Sequence, residues 1–132
     1  MKASMQVTGR ILLVDDEPFI LSATAQLLRN AGYQVHTCEQ WAGVASIVRE
    51  EEPHLILLDY NMPTLKGDDL CSILKRNIIN PEMKIVIFSS EPEDFLIETV
   101  KRCGADGYIK KNVAGHLLLN RVNEVFAAAQ LN

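Results

Sequence analysis

A chain of 132 residues, 48% hydrophobic and 23% charged, holds enough apolar material for the core of one domain. Its formal net charge of −4 excludes a surface that broadly attracts nucleic acid or anionic membrane. No apolar run approaches the roughly 20 residues of a membrane span, and the opening MKASMQVTGR lacks the apolar stretch of a signal peptide.

Residues 1–9 are therefore expected to be a short flexible lead-in. RILLVDD, from Arg10 to Asp16, reads as a strand ending in two aspartates. Pro18 suits a first helical turn. Apolar residues at helical spacing follow from Phe19 to Ala31, with Ile20, Ala23 or Thr24, Leu27, Leu28 and Ala31 inward, and Gly32 stops the helix. YQVHTCE alternates with period two, as a half-buried strand does. Trp41 to Glu50 is a short helix with Val44, Ile47 and Val48 on one side and Trp41 packing near its start; Pro53 forbids continuation.

HLILLD, from His54 to Asp59, is a buried strand finishing in a carboxylate. Tyr-Asn-Met-Pro then turns the chain away. A helix is expected from about Gly67 to Arg76, with Leu70, Ile73 and Leu74 inward. KIVIFSS is a fourth strand. EPEDFLIETVKRCG is a helix with acidic residues first and basic residues last, which complements the helix dipole. Ser90 is the candidate cap for it. DGYIKK is a fifth, shorter strand, with Lys110 a solvated surface residue. Val113 to Ala129 is a last helix with Leu118, Val122, Val125, Phe126 and Ala129 along its stripe.

Five repeats of strand then helix, with continuous apolar strands, imply an α/β fold. Its five-stranded parallel sheet is covered on both faces and doubly wound by right-handed crossovers. No linker or internal repeat interrupts the pattern. Cys38, Cys71 and Cys103 are scattered and fit neither a disulfide framework nor a zinc site. They read as buried or half-buried thiols, and His36, His54 and His116 as solvated or packed.

In such a sheet, ligands bind outside the carboxyl ends of the strands. The first strand leaves Asp15 and Asp16 there, the third Asp59, the fourth Ser89 and Ser90, the fifth Lys110 and Lys111. Three close carboxylates repel one another, at about 4 kcal/mol for two unit charges about 4 Å apart in an effective dielectric of about 20. A hard divalent cation with oxygen ligands, most simply Mg²⁺, answers that repulsion. A lysine offers a point charge suited to phosphate. A carboxylate so placed can attack phosphorus and become an aspartyl phosphate. Neither glycine-rich nucleotide-binding motif occurs, so the phosphoryl group is expected from another molecule. Each of these residues also has a plainer reading. Asp15 and Asp16 would be a helix-terminal acidic pair, Asp59 a turn former, Ser89 a cap and Tyr108 a packed aromatic.

These motifs together resemble the receiver domain of two-component response regulators. ILLVDDEP resembles the family's first strand and acidic pair, LILLDYNMP with LKG its phosphoacceptor strand and loop, IVIFSSE the strand with its switch hydroxyl, and GADGYIKKN the fifth strand with its aromatic and lysine. The likeness runs from about Arg10 to Ala129, and a receiver domain is assigned to residues 10–130. It implies a flavodoxin-like sheet in the order 2-1-3-4-5. It also implies phosphorylation of Asp59 by a histidine kinase or phosphotransfer protein. Mg²⁺ would be held by Asp15, Asp16, Asp59 and the Asn61 carbonyl, with Ser89 and Lys111 at the transferred group. Ser89 and Tyr108 would form the switch, and Asn61 and Glu91 would tune the lifetime of the phosphoryl group toward the short side. Only self-phosphotransfer and autodephosphorylation are implied, in the cytoplasm. The domain itself would make no nucleic-acid or membrane contact, would act on an unidentified output partner or domain, and would dimerise on phosphorylation.

Asn112 stands where the family usually has proline, often after a cis bond. A non-proline cis peptide costs about 3 kcal/mol, so a trans bond or an altered loop is expected there. That departure raises a phosphorylation-independent interaction module as the alternative. The intact set Asp15, Asp16, Asp59, Ser89 and Lys111 argues against it.

Overall fold

The structure, a computed structural model, describes residues 9–62, 66–76 and 82–129. Five strands form its sheet: β1 (Arg10–Val14), β2 (Gln34–Cys38), β3 (Leu55–Asp59), β4 (Lys84–Ser89) and β5 (Gly107–Lys110). All neighbours run parallel, in the order β2-β1-β3-β4-β5, as expected. The helices are α1 (Pro18–Asn30), α2 (Val44–Glu51), α3 (Gly67–Arg76), α4 (Glu93–Cys103) and α5 (Gly115–Ala129).

Alternation along each strand splits the core into two layers. Ile11, Leu13, Leu55, Leu57, Val86, Phe88 and Ile109 face α1 and α5, where Leu21, Leu28, Leu118, Val122 and Phe126 meet them. Leu12, Val14, Ile56, Leu58, Ile85 and Ile87 face α2, α3 and α4. All five residues of central β3 are buried, whereas edge strand β2 is buried only in part. Each fully buried leucine or isoleucine contributes about 1.5–3 kcal/mol before entropy, and β3 with its neighbours β1 and β4 carries most of those among the described residues.

Several sequence expectations shift. The buried stripe of α1 is Leu21, Thr24, Ala25 and Leu28: Thr24 and Leu28 are inward as expected, and Leu21 and Ala25 join them because that i, i+3, i+4, i+7 set lies squarely on the sheet. Ile20 and Leu27 only flank it, and Ala31 is exposed at the helix end. On α3, Leu70, Cys71 and Leu74 are buried while Ile73 is 38% exposed, since the small thiol fits nearer the sheet. Trp41 is also 38% exposed, in a 3₁₀ turn (Trp41–Gly43) ahead of α2, and Val44 takes the buried place. Pro92, not Ser90, precedes the first residue of α4, with no side-chain cap. At its far end Gly104 takes a left-handed φ of 80°, which suits glycine.

All three cysteines are free, Cys71 and Cys103 buried and Cys38 half-buried. His54 accepts a hydrogen bond from Arg10 N at 2.9 Å through Nδ1, and His36 pairs with Glu51 at 3.0 Å. Gly9, which the sequence assigned to the lead-in, is buried, and its carbonyl accepts from Gln34 N at 3.0 Å. The rest of the lead-in, and Pro63 with its turn, lie outside the described residues. No helix among those residues is long and apolar enough to cross a membrane.

Candidate functional site

The parallel sheet sends every strand's carboxyl end to one edge, and the chain's polar residues leave the core there. Asp15 follows β1 immediately and is 0% exposed. Its backbone N–H donates to the Cys38 carbonyl at 3.1 Å, which extends the β1–β2 ladder and fixes its backbone. Its Oδ1 accepts from Glu17 N at 2.9 Å. Asp59 closes β3 at 3% exposure, and its Oδ1 accepts from Asn61 N at 3.3 Å. Asp16 is half-exposed. Carboxylate oxygens of Asp15, Asp16 and Asp59 lie within 4.8 Å of one another.

Lys111 answers this charge from across the edge. Its Nζ donates to Asp59 Oδ1 at 2.9 Å and lies 2.8 Å from Asp15 Oδ2. The second contact is a charge pair without hydrogen-bond alignment, so Asp15 Oδ2 remains a buried acceptor without an aligned donor. The Lys111 stem lies along the sheet, with Nζ 5.6 Å from the Phe88 ring centre. Its backbone N–H donates to the Ser89 carbonyl at 2.9 Å, which fixes the start of its reach. The described peptide bonds are all trans, including the one before Asn112. A trans bond there is thus compatible with Lys111 aimed at both acids.

Burial pushes the Asp59 carboxyl above its ordinary pKa, and the Asp15 charge adds to that; Lys111 and Asn61 N only partly offset it. Burial pulls Lys111 down, but its contacts with Asp15 and Asp59 more than reverse this and hold it protonated. The site thus keeps its cation charged while charge on Asp59 stays expensive.

A cavity of about 340 Å³ opens over these groups, lined by Asp16, Glu17, Asp59, Asn61, Ser89, Ser90 and Lys111. Glu91 stands beside it: its carboxylate accepts from Asn61 Nδ2 at 2.9 Å, and its N–H donates to Ser89 Oγ at 3.0 Å. The two residues singled out for rate tuning are therefore joined across the rim. Tyr108 stands apart, its hydroxyl bonded to the Glu93 carboxylate on α4. Lys110 is not a free surface lysine, because its Nζ donates to the Glu91 carbonyl at 2.9 Å. That bond ties the segment between β4 and α4 to β5.

The donor set suits a small hard cation. It is all oxygen, it carries more negative charge than Lys111 neutralises, and it includes the buried Asp15 Oδ2 without an aligned donor. Ser90 lines the cavity from the strand end where the sequence put it. Two contributors escaped sequence reasoning. Glu17 lines the cavity, and its one available signal was its place between Asp16 and Pro18. Gly67 supports the site from behind. Its N–H donates to the Tyr60 carbonyl at 2.8 Å, and a Cβ there would lie 2.5 Å from the Asp59 carbonyl oxygen.

The chain is similar to known proteins. A family model described as the response regulator receiver domain matches residues 11–123. Protein PilH of Pseudomonas aeruginosa is 30% identical over 90% of this chain and 98% of its own length. The nitrate/nitrite response regulator protein NarL of Escherichia coli K12 is 34% identical over 94% of this chain, which spans 57% of that protein. Among solved structures, a CheY-like response regulator receiver domain protein from Methanospirillum hungatei superposes with a TM-score of 0.84 at 27% identity, covering 94% of this chain and 98% of that one.

Proposed function

This chain belongs to the response regulator receiver domain family, and we propose that it works as a phosphoacceptor switch with Asp59 as the acceptor. The carrying observation is Lys111 Nζ, 2.9 Å from Asp59 and 2.8 Å from Asp15, in a cluster of three carboxylates under an open cavity. A histidine kinase or phosphotransfer protein would supply the phosphoryl group. An Asp59 oxygen would form the new bond to phosphorus while the bond to the donor breaks. Lys111 and the Ser89 hydroxyl would hold the transferred oxygens in place.

Asp15, Asp16 and Asp59, with the Asn61 carbonyl, would hold Mg²⁺, which when bound supplies positive charge for the phosphoryl oxygens. Asp15 offers a rigid buried oxygen for this, and Asp16 a more adaptable one. Asn61 and Glu91, joined across the rim, would govern access of water to the phosphoryl group and favour a short lifetime. A change at Ser89 would pass through Glu91 N to the segment that Lys110 and Tyr108 tie to β5. The output face would then be α4, β5 and α5, presented to a partner or to a second copy of the chain. No turnover of an external phosphoester is expected. Three free cysteines agree with a reducing cytoplasm.

Incubation with Mg²⁺ and a small phosphodonor tests this. A mass gain of one phosphoryl group on Asp59, absent in Asp59→Asn, supports the proposal. No gain at saturating donor, or a gain that persists in Asp59→Asn, contradicts it.

A further inference from the structure

Glu17 is the carboxylate of the cavity wall to which no role attaches. It directly precedes α1, where an acidic side chain ordinarily turns back onto the helix's first free N–H groups. Here Pro18 removes one of those donors, and Glu17 makes no side-chain capping bond. Its backbone is nevertheless fixed, since its N–H donates to Asp15 Oδ1 at 2.9 Å and its carbonyl accepts from Leu21 N at 3.0 Å. An exposed carboxylate on an anchored backbone therefore lines the cavity beside Asp16. Lys111, the one cation among the described residues of that lining, is already engaged by Asp59 and Asp15, and Lys66 at the rim donates to Asn61 Oδ1 at 3.5 Å. Along this wall of the cavity an entering donor passes the negative charge of Glu17 beside Asp16.

We propose that Glu17 is a specificity-determining residue that selects phosphodonors by charge. It discriminates against dianionic acyl phosphates and toward donors that carry the phosphoryl group on a protonated nitrogen. The inference rests on Asp59 being the acceptor. In either transfer an Asp59 oxygen forms the new O–P bond. With acetyl phosphate the P–O bond breaks and its electron pair leaves on acetate. With phosphoramidate the P–N bond breaks and its electron pair leaves on the already protonated nitrogen, as ammonia. Glu17 touches neither reacting bond; it acts on the approach of the donor, in proportion to the donor's charge.

A unit charge within about one Debye length of the approaching donor, in water-like dielectric with moderate screening, changes the rate about twofold per unit of donor charge. The test is the rate of Asp59 phosphorylation by acetyl phosphate and by phosphoramidate, each with Mg²⁺, in the full chain and in Glu17→Gln, Glu17→Ser and Glu17→Lys. Both neutral variants are expected to gain about fourfold with acetyl phosphate and about twofold with phosphoramidate, and Glu17→Lys about sixteenfold and fourfold. The ratio of the two rates is the decisive readout, because a general distortion of the pocket would slow both donors alike. It should shift in the order Lys beyond Gln and Ser, and the shift should shrink as salt is raised. An unchanged ratio in all three variants, with Asp59 still phosphorylated, overturns the role of Glu17 and leaves the phosphoacceptor reading intact. Failure of both donors to label Asp59 in the unaltered chain overturns both.

Discussion

The two ends of the sheet handle charge in opposite ways. At the amino end, the Arg10 guanidinium donates to the carbonyls of Glu51 and Glu52 at 2.9–3.1 Å, its backbone N–H donates to His54, and His36 meets Glu51 at 3.0 Å. Asp106 accepts from Ile85 N at 2.8 Å and pairs with Lys75 at 2.7 Å. Donors and acceptors there are matched, at about 1 kcal/mol of net stability for each hydrogen bond. At the carboxyl end, Asp15, Asp16 and Asp59 crowd together, and Lys111 pairs with two of them, Asp15 and Asp59. The fold tolerates that excess because β1 and β3 hold the acids rigidly in the central strands. An unbalanced cluster so firmly built is a place to receive charge from outside, whereas the balanced end holds the domain together.

The largest expected effect is at Asp59. Asp59→Asn should abolish phosphoryl uptake. It should also raise the stability of the metal-free protein by on the order of 1 kcal/mol, because it removes a charge that burial disfavours; a denaturant titration would show this. Lys111→Met comes next. It leaves two buried carboxylates without their cation and should cost about 3 kcal/mol, recovered in part by Mg²⁺. An equal loss with and without Mg²⁺ would separate the lysine from the metal site. Gly67→Ala forces a Cβ against the backbone of Asp59 and should cost about 1–3 kcal/mol. Unlike a change at the amino end, it should slow phosphorylation several-fold in the protein that remains folded.

These three positions also mark how far the sequence alone reaches. Asp59 was legible because a run of buried apolar residues ending in an acid announces a strand and its exit. Five strand-like runs gave the sheet, and the likeness of four motifs gave its order and the partners Asp15, Asp16, Ser89 and Lys111. Gly67 was not legible as a support, because its closeness to Asp59 arises only when α3 docks on the end of β3. Lys110 was read as solvated because nothing local indicates that the Glu91 carbonyl stands within its reach. Ile73 and Trp41 look as apolar as their buried neighbours, and only the packing of α2 and α3 decides which face wins.

The smallest expected effect returns to the amino end. Burial, and then the Arg10 charge, lower the pKa of His54 below its ordinary value, with Glu82 opposing, and the neutral ring accepts from Arg10 N. With the folded pKa depressed, the unfolded chain takes up the proton first as pH falls. The stabilisation is therefore complete above the ordinary histidine pKa, about 6.5, and fades as pH drops through the lowered value. Asp59 has the opposite slope: its raised pKa makes the folded state gain relative stability as pH falls toward the ordinary carboxylate range. Melting curves from neutral to mildly acidic pH in the Asp59→Asn background isolate His54, and His54→Gln should flatten them.

The most direct test of the contrast is calorimetric titration of Mg²⁺ into the unaltered chain, into Asp59→Asn and into Arg10→Ala. A binding isotherm for the unaltered chain, weakened at least about tenfold by Asp59→Asn and unchanged by Arg10→Ala, is the predicted result. Absence of Mg²⁺ binding, or binding that Asp59→Asn leaves intact, would contradict the account.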